Sequence, residues 1–178
     1  STIHAGGTAS HYFVTAPTTG GTTPFTVWGV GDGGNGSSTQ VDVMNAMVAA
    51  NGGSPDLTVY LGDIAYGSGT DTEFTNNYFA PYDPVIRNTP VWPTLGNHEG
   101  SSTTSGACAP LPCTAGSSGP YYDAFVLPAG AQAGGVASGT EAYYSFNYGN
   151  AHFISLNSYQ VSRSPSGPMA TWLTADLA

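Results

Sequence analysis

Hydrophobic positions in this chain form short runs separated by glycine-rich turns, and their spacing predicts alternating strands and helices. Three near-continuous apolar runs have the length of buried strands: residues 25–30, 57–61 and 91–95. A helical pattern at 37–52 separates the first two runs, and a second at about 71–79 separates the second from the third. Apolar strands joined through helices are typical of a parallel sheet covered on both faces. We therefore predict an α/β fold.

The segment before residue 25 has a different pattern from the rest of the chain. Residues 11–14 form a strand-like patch, and a Thr/Gly/Pro-rich stretch then continues to Pro24. Because a single strand is not stable alone, the patch predicts that earlier strands of the same sheet precede this stretch. We expect residues 1–24 to be the end of an N-terminal β-domain with its linker, followed by a separate unit at 25–178.

The last third of the chain predicts a hairpin and a helix. Two strands, near 143–148 and 151–156, meet at Gly149-Asn150, a residue pair typical of a tight antiparallel turn. The final helix begins at 166–168 and places four apolar side chains on one side: Met169, Trp172, Leu173 and Leu177. It reaches Ala178 without a capping glycine or a basic last turn, and we expect the chain to be interrupted there.

Charge is scarce in this chain, and its scarcity excludes several function classes. The 178 residues contain no lysine and two arginines, against 11 acidic residues, which gives a formal net charge of −9. A P-loop and a pyridoxal Schiff base both need a lysine, and a nucleic-acid groove needs a basic surface. We expect none of these sites and no nucleic-acid partner. No run of 18 apolar residues is present, and we expect no membrane span.

The two cysteines and the neutral polar composition indicate an extracellular location. Cys108 and Cys113 lie close together in the sequence, and a small disulfide loop is the favoured interpretation over free thiols. A two-cysteine metal site is the weaker alternative because no further soft ligand lies nearby. Since a disulfide requires an oxidising compartment, we expect a secreted, extracellular or periplasmic protein.

Polar residues follow the ends of the three predicted parallel strands. Asp32 follows the first strand, Asp63 the second, and Asn97 with His98 the third, at successive spacings of 31 and 34 residues. Each alone has an ordinary explanation, since Asp and Asn favour glycine-rich turns. Together they have the spacing of successive βα units, and the carboxyl ends of parallel strands meet at one edge of a sheet. We therefore expect these side chains to converge.

The converging groups have the chemistry of a metal site. Carboxylate and amide oxygens with an imidazole suit divalent and trivalent ions, and Tyr66 adds a phenol that can coordinate as phenolate. Two metal ions would also supply the positive charge that the missing lysines cannot. Dinuclear sites of this kind can act on phosphate esters. One ion then generates a hydroxide, both ions hold the oxygens of the phosphate group, and the hydroxide attacks phosphorus in line.

Three segments at these positions resemble the first three of the five motifs of purple acid phosphatase-like metallophosphoesterases: Asp32-Gly33-Gly34, Gly62-Asp63-Ile64-Ala65-Tyr66 and Gly96-Asn97-His98-Glu99. Flanking segments at 90–94, 138–146 and 171–177 are similar to secreted bacterial members, and the resemblance covers nearly the whole chain from Tyr12. It implies a metallophosphoesterase-type β-sandwich flanked by helices, with 25–178 as its N-terminal portion. It also implies that 1–24 ends a fibronectin-type β-domain.

The resemblance implies a role for each site residue. Asp32 would bind a first metal ion, usually iron, and Asp63 would bridge the two ions. Tyr66 would supply the phenolate that gives the family its purple colour. Asn97 would bind the second ion, which is commonly iron, zinc or manganese. His98 would stay off the metals and protonate the leaving alkoxide.

Smaller roles are expected for the remaining acidic and histidine residues. By the same resemblance, Glu99 would orient His98, and His152 would be a structural histidine in a strand rather than a ligand. His4 and His11 precede the predicted catalytic unit, and we expect no functional role for them.

Two interpretations of function follow. The fourth and fifth family motifs supply three histidine ligands and lie beyond the stretch that this chain covers. One interpretation is therefore the first half of a secreted phosphatase that acts on a phosphate ester, with the C-terminal half as a separate fragment or absent. The other is a non-catalytic extracellular structural or binding subunit derived from the same fold, which the lack of lysine would suit. The intact Asp32, Asp63, Tyr66 and His98 favour the enzyme.

Overall fold

The computed structural model describes residues 2–4, 10–106 and 116–178. The strands are β1 (Thr2–His4), β2 (Tyr12–Val14), β3 (Val27–Val30), β4 (Leu57–Tyr60), β5 (Val91–Pro93), β6 (Tyr144–Tyr148) and β7 (Ala151–Ser155). The α-helices are α1 (Ser38–Asn51), α2 (Asp71–Glu73), α3 (Ala80–Ile86), α4 (Pro120–Ala124) and α5 (Pro168–Asp176). A π-helical segment (Phe74–Phe79) joins α2 to α3, and a 3-10 turn (Glu99–Ser101) follows β5. Among these described residues, no helix has the length and apolar character needed to cross a membrane.

The predicted parallel sheet is present. β3, β4 and β5 are hydrogen-bonded in that order and run parallel, with Tyr60 opposite both Val30 and Pro93 at their carboxyl ends. α1 connects β3 to β4, and the α2–α3 region connects β4 to β5. The carboxyl ends of the three strands therefore lie side by side, and the loops that follow them meet at one edge of the sheet.

The predicted hairpin of β6 and β7 packs beside β5. The two strands are antiparallel, with Tyr148 opposite Ala151 across the turn, and Gly149 has the positive φ of 58° that a tight turn requires. The ring of Trp92 in β5 stacks on Phe146 in β6 with centroids 3.9 Å apart. This aromatic contact joins the hairpin to the parallel sheet.

Aromatic side chains fill much of the core. Among the described residues, the six largest fully buried side chains are all tyrosines: Tyr60, Tyr78, Tyr82, Tyr121, Tyr143 and Tyr144. A buried phenol needs a hydrogen-bond acceptor. Tyr121 and Tyr144 both donate to the carbonyl of Pro93, over 3.1 and 2.7 Å. These two bonds fix the end of β5, the strand that leads to the predicted acid His98.

Helices α1 and α5 begin at the predicted positions. Ser37 caps α1 by accepting a backbone hydrogen bond from its first turn, and Gly52 ends the helix in the left-handed conformation with φ 71°. α5 buries Trp172 as predicted. Leu177, in contrast, lies beyond the end of α5 at Asp176 and is 65% exposed, so the prediction that it belongs to the apolar side of this helix is wrong.

The second helical region is longer than its sequence pattern predicts. The pattern ends near Phe79 because Pro81 and Pro84 follow, and proline normally ends a helix. In the structure, α3 continues to Ile86 and packs against α1. Pro81 lies just after the π-helical segment, which changes the hydrogen-bond register of the helix at this point.

The N-terminal strand has a partner within the chain. β2 pairs antiparallel with β1, from Thr2 opposite Val14 to His4 opposite Tyr12. An earlier strand of the same sheet is thus present within this chain, and its three residues give too short a pattern to recognise in the sequence. The Tyr12 N–H donates to Asn88 Oδ1 over 3.0 Å and joins β2 to the loop after α3. A fibronectin-type domain stays a prediction.

A carboxylate joins α5 to the hairpin. Asp176 accepts hydrogen bonds from the Val136 N–H at 2.6 Å and the Ser145 hydroxyl at 2.9 Å, and it lies 2.8 Å from His152 Nε2. The other ring nitrogen of His152 lies 2.7 Å from the Asn147 side-chain oxygen. His152 thus has the structural surroundings that the sequence predicts.

We expect Asp176→Asn to destabilise the fold by about 1–3 kcal/mol at neutral pH. Burial alone would raise the pKa of Asp176, but hydrogen bonds from Val136, His152 and Ser145 hold it below its usual range. The stabilisation is therefore complete above an ordinary Asp pKa of about 3.9, and it is lost as the pH falls through the lowered folded-state value. Urea unfolding at about pH 7 and about pH 2.5 measures both effects. The exposed Asp123→Asn is the control, and an equal loss at both pH values would contradict the prediction.

Candidate metal centre

The loops that follow β3 and β4 are held together by backbone hydrogen bonds. The Leu61 N–H donates to Val30 O at 2.7 Å, and the Asp32 N–H donates to Gly62 O at 3.1 Å. Asp32 and Asp63 both adopt the left-handed conformation, with φ of 56° and 52°, which Asp tolerates better than most residues. Two adjacent loops therefore present an aspartate in the same unusual backbone conformation.

The Tyr66 hydroxyl brings the two predicted carboxylates together. Its oxygen lies 2.9 Å from Asp32 Oδ1 and 3.3 Å from Asp63 Oδ2. Two carboxylates from two loops thus lie within hydrogen-bond distance of one phenol oxygen, which gives three potential oxygen ligands. Oxygen donors of this kind are the ligands that hard cations prefer, and the donor set fits a metal ion such as Fe³⁺.

In the absence of a cation, the surroundings keep the Tyr66 phenol protonated. Burial raises the pKa of Tyr66, and the hydrogen bond to Asp32 with the negative charges of Asp63 and Asp32 raises it further. A phenolate at this position therefore requires compensating positive charge. A metal ion held by the same carboxylates is the kind of charge that meets this requirement.

Asn97 and His98 lie in the turn after β5. The His98 N–H donates to Asp63 Oδ1 at 3.1 Å, which places this turn against the second carboxylate. Asn97 is exposed, and in the part of the chain that the structure describes no hydrogen bond joins its amide to Asp32 or Tyr66. Ligation by Asn97 stays a prediction.

The His98 ring has a defined orientation. Its Nδ1 lies 2.5 Å from the carbonyl oxygen of Gly67, and its centroid lies 4.1 Å from that of Tyr66. Because a carbonyl only accepts hydrogen bonds, Nδ1 must carry the hydrogen atom. Nε2 is then the nitrogen that can exchange a proton with a bound molecule.

Glu99 has different contacts from those that the resemblance implies. Its side chain is fully buried, and its carboxylate accepts four backbone hydrogen bonds of 2.8–3.1 Å, from Ile64, Ala65, Gly96 and Asp63. The structure corrects the expectation that Glu99 orients His98. The 3-10 turn directs the Glu99 side chain inwards, whereas the His98 ring contacts Gly67.

These contacts make Glu99 a positioning group for the centre. Burial raises the pKa of Glu99, the N–H donors from Ala65, Gly96 and Ile64 oppose the rise, and the nearby Asp63 charge adds to it. The four hydrogen bonds connect the loop that carries Asp63 to the turn after β5. The relative position of the two predicted metal-binding segments therefore depends on this carboxylate.

Three supporting side chains are not among the predicted site residues. Asn77 Nδ2 donates to the Tyr66 carbonyl at 2.5 Å, and Gln40 Nε2 donates to the Asn77 carbonyl at 2.6 Å. Glu73 accepts hydrogen bonds from the loop that follows Tyr66. The spacing of Thr70 and Glu73 is a capping-box signature, which was available in the sequence. Gln40 has the same capping-box spacing from Ser37, but its contact with Asn77 joins segments that are distant in the sequence, and Asn77 carries no local signal.

The described residues supply an oxygen-rich ligand set. The predicted disulfide residues, Cys108 and Cys113, lie outside them. Within the ranges 10–106 and 116–178, no group of three or more His, Cys, Asp and Glu side chains is arranged to hold a metal ion. The predicted ligands that the structure does bring together are Asp32, Asp63 and the Tyr66 phenol.

Comparison with known proteins identifies the family. The sequence model of the calcineurin-like phosphoesterases matches residues 25–174. A search of curated proteins gives no match. The structure is similar to that of a purple acid phosphatase isolated from yellow lupin (Lupinus luteus) seeds, with a TM-score of 0.69 and 17% identity over 92% of this chain and 29% of that chain. These findings confirm the predicted metallophosphoesterase fold, and the chain belongs to the calcineurin-like phosphoesterase family.

Proposed function

We propose that this chain is part of a metal-dependent phosphoester hydrolase with a dinuclear centre. The observation that carries the proposal is the convergence of Asp32, Asp63 and Tyr66 beside the carboxyl edge of the parallel sheet. The family match and the similarity in fold to the lupin phosphatase support it. The substrate is a phosphate monoester or diester.

Each predicted ligand has a place in this centre. Asp32 and Tyr66 would hold one ion, iron. Asp63 would contribute to both ions, and Asn97 would hold the second, iron, zinc or manganese. When bound, such ions would supply Lewis acidity for attack by water and positive charge for the phosphate oxygens, in a chain that has no lysine to do so. The imidazole ligands come from a C-terminal portion of the phosphatase, either continuous with this segment or associated with it as a fragment.

His98 supplies the proton that the leaving oxygen requires. Its Nδ1 hydrogen remains bonded to Gly67 O, and the proton that is transferred is the one on Nε2 of the imidazolium. The bond to Gly67 keeps the ring from rotating during this transfer. Because the His98 backbone N–H also donates to Asp63, the acid and the bridging carboxylate keep a fixed separation.

We also propose a secreted or periplasmic location. The pair Cys108 and Cys113 supports it, since a disulfide forms in an oxidising compartment. The charge-poor composition, rich in neutral polar residues, supports it as well.

Loading the protein with Fe³⁺ and measuring its visible absorption tests the proposal. We expect a charge-transfer band in the wild type and its loss in Tyr66→Phe, which keeps the ring but lacks the ligand oxygen. Iron affinity should fall at least about 10-fold, since even partners of the ligands contribute that much. The exposed Tyr159→Phe, which removes the same atom, should keep the band.

Metal content and hydrolysis of an aryl phosphate are measured in the same samples. A band that persists in Tyr66→Phe would exclude phenolate ligation. The wild type is tested together with its C-terminal portion. If it neither takes up metal nor hydrolyses the ester, the result would instead favour the non-catalytic subunit.

A further inference from the structure

One peptide group lies between a carboxylate and the His98 ring. Its carbonyl oxygen, on Gly67, accepts the hydrogen bond from His98 Nδ1 at 2.5 Å. Its N–H, on Ser68, donates to Glu73 Oε2 at 3.0 Å. A single planar amide therefore connects the Glu73 carboxylate to the imidazole.

We propose that Glu73 is a positioning residue for His98 and acts through this peptide group. The carboxylate fixes the amide in place, and its negative charge at the N–H end strengthens the carbonyl end as an acceptor. The His98 ring is thereby held in one orientation, with hydrogen on Nδ1 and with Nε2 free for the substrate. The use of Nε2 rests on the proposed function, whereas the hydrogen-bond arrangement does not.

Glu73 is itself firmly held. Its Oε1 accepts from the Gly67 N–H at 2.7 Å, and its Oε2 accepts from both the Thr70 N–H and the Thr70 hydroxyl at 2.9 Å. Hydrogen bonds from the backbone of Thr70, Gly67 and Ser68 hold the pKa of Glu73 at about 2, against the rise that burial causes. The carboxylate is therefore charged at any pH at which the protein would work.

The contacts of Glu73 exceed what helix capping requires. A capping box uses the bonds between Glu73 and Thr70 alone, and both are present at the start of α2. The additional bonds from Gly67 and Ser68 connect the carboxylate to the loop that His98 contacts. That loop is also held from its other side.

Ser102, which follows the 3-10 turn after His98, provides this second attachment. Its hydroxyl donates to the Ser68 carbonyl at 2.6 Å and lies 2.7 Å from the Gly69 carbonyl. The loop is thus attached to α2 on one side and to the turn that carries His98 on the other. A rigid acceptor for the ring is the result.

Nitrogen-15 NMR of the His98 ring in the 178-residue chain tests the proposal, with the signals assigned by their loss in His98→Asn. We expect the Nδ1–H tautomer to predominate in the wild type. In Glu73→Gln the ratio of the Nδ1–H to the Nε2–H tautomer should fall about fivefold, because an uncharged amide accepts more weakly from Ser68. The readout needs neither metal nor activity, and its failure is distinct from failure of the proposed function.

Two control variants separate positioning from charge and from capping. Asp71→Asn removes the other acidic residue from the first turn of α2, with the same change in net charge and in the interaction with the helix dipole. Thr70→Val weakens the cap and keeps the bond from Ser68 to Glu73. We expect both to retain the wild-type tautomer ratio.

Three outcomes would overturn the proposal. They are a predominant Nε2–H tautomer in the wild type, an unchanged ratio in folded Glu73→Gln, and an equal change in Asp71→Asn. If Glu73→Gln fails to fold, the tautomer ratio of the wild type decides alone, and a predominant Nε2–H tautomer overturns the proposal.

Discussion

His98→Asn is expected to lower kcat for phosphoester hydrolysis by about 10²–10⁴-fold while the metal content stays unchanged. Asparagine can still donate a hydrogen bond to the Gly67 carbonyl, which accepts from His98 Nδ1 in the structure. Its amide cannot release a proton to a leaving group. The backbone N–H at position 98, which donates to Asp63 Oδ1, is kept by the substitution. The variant therefore removes the proton donor and preserves the contacts of the centre.

The way in which the loss of rate depends on the leaving group tests whether His98 is a general acid. An ester with an acidic leaving group, such as an aryl phosphate, needs little protonation, and the loss should be small for it and large for alkyl phosphates. Steady-state kinetics on the phosphatase with its C-terminal portion, together with elemental analysis, measure both quantities. His11→Asn, outside the matched family region, is the control. An equal loss for all esters, or a loss of metal, would contradict the acid role of His98.

The positions of the predicted ligands Asp32 and Asp63 follow from the sequence because they depend on where strands end. Asp32 and Asp63 come directly after apolar runs that form adjacent parallel strands, and such strands end at a common edge. Tyr66 is three residues beyond Asp63, which allows its hydroxyl to return to both carboxylates. The local hydrophobic pattern and the rule that parallel strands end at a common edge are sufficient to predict that these side chains lie close together.

The contacts of Glu99 are not predictable in the same way. A carboxylate next to a histidine in the sequence suggests a pair, yet the direction of a side chain after a turn depends on tertiary packing. The carboxylate of Glu99 reaches Ile64 and Ala65, about 35 residues earlier in the chain. Only the closed arrangement of the loops after β4 and β5 creates that group of N–H donors. Glu73, in contrast, carried a local capping signal, but its connection to His98 also required the folded loop.

Gly34→Ala is expected to cost about 3 kcal/mol or more of folding free energy. Gly34 is buried between the two loops: its carbonyl accepts from the Tyr66 N–H at 2.8 Å, and its N–H donates to Asp63 O at 3.4 Å. A Cβ on Gly34 would lie 1.6 Å from Ile64 O and 2.1 Å from the Ile64 carbonyl carbon. Both are backbone atoms, and no change of side-chain rotamer relieves the overlap. The two loops must therefore move apart.

That movement would separate the predicted ligands, because Asp32 lies on one loop and Asp63 with Tyr66 on the other. Urea unfolding and thermal melting measure the stability, with a fall in Tm of about 6–12 °C expected, and iron titration measures the site. Gly29→Ala in β3 is the matched control, since nothing lies within 4 Å of its Cβ position. It should remain within about 1 kcal/mol of the wild type. Equal stability of the two variants, or unchanged iron affinity in Gly34→Ala, would show that close packing of these loops does not hold the ligands together.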